Sequence, residues 1–416
     1  MTFLNVVEIE SALAGLHNAY PALTQLFELP NETAEHRRSH ALLIRGGGGS
    51  FACRPAFVFV SGVHAREWGG PDILVNLAAD VLEAYSTGAG LAYGGKSFTS
   101  NQLKQIVERT DIVVFPDINP DGRAYSMGAP ANTGQAMWRK NRNTASSNND
   151  PSKIGVDVNR NYDFLWNFPV AFSPAANPNT LASTDPASDL FHGMGPFSEP
   201  ESRNVRWLVE QFNTRYFVDV HSYTGDVLHP WGSDENQTTD PSKSYSNPAW
   251  NGLQGVAGDA YQEYIKPNTL ATHQAAAGVI RDGINAVRNQ GYVAKQGFWL
   301  WAQSYPTSGA SEDWGLTRGI TSFVIEFNKN TDFFPTWAEM ELMIADVDAG
   351  LLALTDWACP TWWQVLVCWI RQWFHDHLWA PWKKLWPKDL WGPYGPWTRF
   401  VGVVEQVVRQ IFRSRS

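Results

Sequence analysis

Cysteine is scarce: Cys53, Cys359 and Cys368 are the only three in 416 residues. That is too few for a disulfide framework, and their spacing fits no zinc knuckle, so buried or incidental thiols are expected. No run of about 18 apolar residues occurs, which leaves no candidate for a spanning helix. The first twenty residues contain Glu8, Glu10 and His17 rather than a basic start and an apolar stretch. No secretory signal is visible, and a cytoplasmic location is the default expectation. Positive charge is in deficit, with 32 Lys+Arg against 41 Asp+Glu and a net charge of −9. Nucleic acid is therefore not an expected partner. No internal repeat is present.

What remains is an ordinary globular composition, 44% hydrophobic and 18% charged, on a chain long enough to bury a large core. Its charge is uneven. Residues 360–416 carry eight Lys+Arg against three acids, although the whole chain is acidic. Ten of the 20 tryptophans fall between Trp357 and Trp397. Two bodies are expected, residues 1–355 and a Trp-rich basic extension over 356–416. Within the extension, Phe400, Val404, Val407, Val408 and Ile411 form a helical apolar stripe beside Arg409, Arg413 and Arg415.

In the larger part, Val6, Ile9, Leu13 and Leu16 recur at helical spacing. Residues 56–60 and 111–115 are short β-branched and aromatic runs that read as buried strands. Residues 215–220 and 320–327 repeat that pattern. Helical periods lie at 72–85, 201–212 and 275–288. Alternating strands and helices predict an α/β sheet covered on both faces. Residues 130–190 and 232–272 are rich in Asn, Ser, Thr, Pro and Gly and read as long excursions from the sheet.

The chemistry-bearing residues lie at strand ends. His64 and Glu67 follow the strand at 56–60, and His221 ends the strand at 215–220. Imidazole and carboxylate ligands with one open position suit a catalytic zinc. His-x-x-Glu alone is weak, but ligands in open α/β sheets gather at the carboxyl ends of strands. Glu326 is an acid inside the apolar run Phe323–Phe327. It is a candidate general base beside a metal-activated water.

The ordered set of motifs resembles the carboxypeptidase A/B-type zinc metallocarboxypeptidases. It comprises His-Ala-Arg-Glu-Trp at 64–68, Asn-Pro-Asp-Gly at 119–122, Trp-Arg-Lys-Asn-Arg at 138–142 and Gly-Val-Asp-Val-Asn-Arg-Asn at 155–161. Ser-Glu-Pro-Glu at 198–201, His-Ser-Tyr at 221–223, Tyr305 ahead of Ser-Gly-Ala-Ser-Glu-Asp-Trp at 308–314, and Glu326 complete it. The resemblance covers roughly residues 1–355. It implies a mixed, mostly parallel twisted sheet of about eight strands, and a monomer trimming peptide or protein C-termini. It also implies one zinc on His64, Glu67 and His221, Glu326 as general base and acid, and Arg139 at the scissile carbonyl. Asn159, Arg160 and Tyr305 would clamp the terminal carboxylate, and Arg66 would serve an outer subsite.

Glu312 matches the family position at the base of the pocket for the C-terminal side chain, and an acid there favours Lys or Arg ends. His229 stands where the family tends to have an aromatic residue; it reads more readily as a plain loop residue than as a pocket histidine. Other features depart from the family. No activation segment precedes the matching region, so activity at synthesis or control from elsewhere is expected. The stretch around 171–189 looks inserted, and the Trp-rich tail matches nothing in the family. Its aromatics and basic charge suit a membrane surface or a partner, or extra core against the catalytic domain. The pair His375 and His377 lacks a third ligand. Two rival functions are a same-superfamily cell-wall peptidase acting on D-amino-acid or diaminopimelate peptides, and a non-catalytic peptide-binding module. Retention of Glu326 and all three zinc ligands favours the enzyme.

Overall fold

The computed structural model describes residues 2–47, 53–301, 303–329 and 332–374. They fall into two compact units, 1–46 with 55–359, and 47–54 with 360–416. The expected helix over Phe400–Ile411 and the pair His375 and His377 lie outside the described residues.

The first unit begins with α1 (Val6–Ala19), β1 (Thr24–Glu28), β2 (His40–Ile44), β3 (Ala56–Ser61) and α2 (Gly70–Thr87). A hairpin of β4 (Leu91–Tyr93) and β5 (Lys96–Phe98) leads to α3 (Ser100–Arg109), β6 (Asp111–Phe115) and α4 (Pro120–Ser126). After the single turn α5 (Phe168–Ala171) come α6 (Pro200–Gln211), β7 (Thr214–Ser222) and β8 (Asp226–His229). The short pair β9 (Asn236–Gln237) and β10 (Glu263–Tyr264) precedes α7 (Pro267–Arg288) and β11 (Val293–Gln296). The unit closes with α8 (Ser311–Thr317), β12 (Thr321–Phe327) and α9 (Trp337–Trp357).

Eight strands form one mixed sheet in the order β1-β2-β6-β3-β7-β12-β8-β11. Its centre, β6-β3-β7-β12, is parallel throughout. These strands are buried on both faces, which is why they read as continuous apolar runs rather than alternating ones. One apolar cluster packs α1, α2, α3, α7 and α9 against the first face, through residues such as Leu13, Leu77, Ile106, Ile280 and Val347. A second cluster packs α6, α8 and the 158–164 segment against the other, through Leu208, Trp314 and Tyr162. The expected α/β sheet with both faces covered is what the chain forms. Among the described residues, no helix is long and apolar enough to cross a membrane.

In the second unit, α10 (Trp362–Phe374) is a helix, and Cys53 is joined to Cys368 by a disulfide with Cα atoms 5.5 Å apart. The expectation of incidental thiols is thus corrected for two of the three cysteines. A pairing across 315 residues leaves no local trace in sequence.

Candidate active site

Three neighbouring parallel strands end at one place. β3 leads to His64 and Glu67, β7 ends in His221 and Ser222, and β12 carries Glu326 directly beside His221 in the ladder. Gly62, at φ +70°, turns the chain out of β3 against Asp117, a conformation that favours glycine. Glu326 lies on an internal strand. β12 is flanked by β7 and β8.

His64, Glu67 and His221 are buried, and their ligand atoms all lie within 4.8 Å of one another. Among the described residues this is the sole group with metal-ligating geometry. Glu67 lies between the two imidazoles, with Oε1 2.7 Å from His64 Nδ1 and Oε2 3.3 Å from His221 Nδ1. Burial works against a charged Glu67, but the imidazoles hold its pKa well below the usual range. The far nitrogens are backed by acids: His64 Nε2 lies 3.3 Å from Asp157 Oδ1, and His221 Nε2 lies 3.2 Å from Asp219 Oδ2. A carboxylate behind each imidazole, with both Nδ1 atoms turned toward one carboxylate, is the donor set of a metal centre. The residues fit zinc.

Neither backing acid stands out from the sequence as a site residue, although signals exist. Asp219 and His221 are two apart on a strand and share a face. Asp157 lies within the quoted 155–161 motif.

The cavity holding these groups has a volume of about 210 Å³. Arg66, Arg139, Asn159, Arg160, Tyr305, Glu312 and Glu326 all line it, so every expected site residue comes together there. Arg139 donates through Nε to Asp157 Oδ2 at 2.9 Å, with Nη2 also 2.9 Å from that oxygen. Burial disfavours its charge, yet Asp157 overcomes this and keeps the guanidinium firmly protonated. Asn159 Oδ1 accepts from Ser311 N at 2.9 Å. Arg160 is tied down by donating to the carbonyls of Asn159 and Thr180, each at 2.8 Å. Arg66 lies over the Phe333 ring, 4.7 Å from its centroid, and 3.6 Å from Asp189, at the end of the 171–189 stretch.

Burial pushes the Glu326 pKa up to about 8; His221 and Arg139 pull it down, while Glu67 and Asp226 raise it. A cation bound at the triad would lower it further. Glu312, in the first turn of α8, is buried and its pKa is raised by desolvation, with Asp219 adding repulsion. His229 is buried on β8, its Nδ1 2.8 Å from Pro230 O, and does not line the cavity.

A metal-competent triad with an adjacent acid, facing fixed arginines and an amide, defines a metallohydrolase-type centre. The family profile described as zinc carboxypeptidase matches residues 9–346, and the chain belongs to that family of hydrolases. It is 30% identical over 275 residues to carboxypeptidase B of Astacus astacus, covering 65% of this chain and 78% of that one. It is 26% identical over 302 residues to carboxypeptidase A4 of Mus musculus, covering 72% of this chain and 56% of that one. The fold is that of bovine thrombin-activatable fibrinolysis inhibitor, solved with a tick carboxypeptidase inhibitor. That likeness has a TM-score of 0.62 at 18% identity over 85% of this chain and 96% of the other.

Proposed function

We propose that the chain is a zinc-dependent carboxypeptidase that removes the C-terminal residue of peptides or proteins and prefers Lys or Arg there. The observation that carries this reading is the convergence of His64, Glu67, His221 and Glu326 in one cavity with Arg139, Asn159, Arg160 and Tyr305. When bound, zinc lowers the pKa of water and polarises a carbonyl. In this reading Glu326 accepts the proton of the attacking water on its carboxylate and hands it to the departing amine nitrogen. Arg139 stabilises negative charge growing on the scissile carbonyl oxygen, a task suited to a cation whose orientation Asp157 fixes. Asn159, Arg160 and Tyr305 bind the terminal carboxylate and so restrict cleavage to chain ends. Glu312 meets a basic side chain with charge in a desolvated pocket.

Metal analysis of the purified chain, together with C-terminal trimming of a peptide library, tests the core of this reading. Glu326→Gln should keep one zinc per chain while losing at least about a hundredfold in kcat. His221→Ala should lose both metal and activity. Trimming that survives Glu326→Gln, or a wild-type chain without zinc, would defeat the mechanism. Matched peptides ending in Arg, Lys, Phe and Glu test the pocket, and Phe outpacing Arg would defeat the preference.

Two further features support readings of surroundings. The Cys53–Cys368 disulfide favours an oxidising compartment over the cytoplasm. Thiol titration of the denatured protein should then find one reactive thiol without reductant, that of Cys359, and three with it. Trp362, Trp369 and Trp373 are 53%, 48% and 43% exposed at helical spacing on α10, which supports contact with a membrane surface. Failure to co-sediment with anionic liposomes would remove that reading. Sedimentation of a single monomeric species is expected without lipid.

A further inference from the structure

We infer that Thr307 is a second recognition residue for the C-terminal side chain, its hydroxyl sharing a basic nitrogen with the Glu312 carboxylate. The inference rests on Glu312 being the base of the side-chain pocket and extends that reading to a named partner.

Both residues line the cavity and both are more than nine-tenths buried, Glu312 at 6% and Thr307 at 8% exposure. Glu312 Oε2 and Thr307 Oγ1 each lack a hydrogen-bond partner. The two side chains both approach Gly232. A methyl group added at Gly232 would lie 2.5 Å from Thr307 Oγ1, 3.3 Å from Asp313 Oδ2 and 3.5 Å from Glu312 Oε1. The pocket is not filled from that side, because residue 232 has no side chain. Its walls are held firmly: Thr307 N donates to Gly232 O at 3.0 Å, and Gly232 N donates to the Asp313 carboxylate at 2.9 and 3.0 Å.

A buried oxygen with no donor is costly, and two of them in one cavity set the chemistry of the ligand. A phenyl or branched aliphatic end would desolvate both and satisfy neither. A carboxylate would bring acceptors to acceptors. An ammonium or guanidinium brings charge and several N–H donors, enough for the carboxylate and a hydroxyl lone pair together. The approach suits such a side chain too. Leu228, Leu300 and Val324 form one apolar cluster on the cavity wall, against which a methylene stem can lie.

Steady-state kinetics on matched peptides ending in Arg, Lys and Phe test the assignment in wild type, Thr307→Val and Thr307→Ser. Thr307→Val keeps the volume and removes the hydroxyl. It should lower kcat/KM for Arg and Lys ends about tenfold, mainly through KM, and leave the Phe end unchanged or raised. Thr307→Ser should restore most of the loss. Should the Val variant not fold, Thr307→Ala must show the same selective loss. Equal losses for all three ends, or no loss for Arg and Lys, would overturn the role of Thr307 while leaving Glu312 as the base. A wild type that favours Phe over both basic ends overturns the Glu312 reading and this inference with it.

Discussion

His64 and His221 face one another with Glu67 between them, and each is held from behind by an acid. Asp157 stands behind the first and Asp219 behind the second, and neither acid is exposed to solvent. Such acids fix which nitrogen carries the proton and so free the other for a metal. Asp219 also accepts from Ser311 at 2.9 Å, which ties the histidine to the start of α8. Asp219→Asn should therefore weaken zinc binding about tenfold or more without unfolding the chain. Competition with a metallochromic chelator measures this, and an unchanged half-point in a folded variant would remove the role. The residues that line the candidate site were legible because they stand in ordered motifs. The acids behind them were not singled out, because their work is done through another side chain and depends on which strand faces meet.

At the scale of elements, the central strands were readable almost to the residue. Runs at 56–60 and 111–115 became β3 and β6, and 215–220 became β7. The cause is burial on both faces, which demands apolar residues at every position. Strands β8 and β11 were not anticipated, being four residues each and half-exposed in the case of β11. Helix α7 begins at Pro267, inside a stretch read as loop, because Pro-Asn-Thr at its start carries no apolar stripe. The loops between elements bring Asn159, Arg160 and Tyr305 into one cavity, and one glycine joins two of these loops. Gly309, at φ +65°, accepts from Tyr162 N at 3.1 Å and donates to Phe164 O at 2.8 Å. A Cβ there would collide with the Arg160 carbonyl, which is backbone and cannot step aside. Gly309→Ala should cost on the order of 2–4 kcal/mol of stability and raise KM for peptides with a free C-terminus. Thermal unfolding and Michaelis kinetics on the same preparation check both. A variant with unchanged Tm and KM would show that the 305–312 segment does not need that turn.

Across the whole molecule, buried acids set a pH dependence of stability that no sequence motif announces. Glu201, in α6, shows how the sign arises. Burial pushes its pKa up to about 8, and repulsion from Glu199 adds to the shift. Asn141 Nδ2 bridges the two carboxylates, at 2.8 Å to Glu199 and 3.0 Å to Glu201. Asp117 is likewise raised by burial to about 7. An acid whose folded pKa exceeds its unfolded value holds its proton more tightly when folded. Unfolding then releases a proton, so stability falls as pH rises from about 4.5, the ordinary carboxyl value, through about 8. Metal binding changes with pH in the opposite sense, because its ligands must lose protons. A difference between wild type and Glu201→Gln cancels that contribution, as Glu201 does not line the cavity that holds His64, Glu67 and His221. The two proteins should have similar stability near pH 5. At pH 8 the Gln variant should be more stable by an amount on the order of a few kcal/mol. Urea midpoints measured across that range decide the matter, and parallel curves at all pH values would mean that Glu201 is charged in the folded chain.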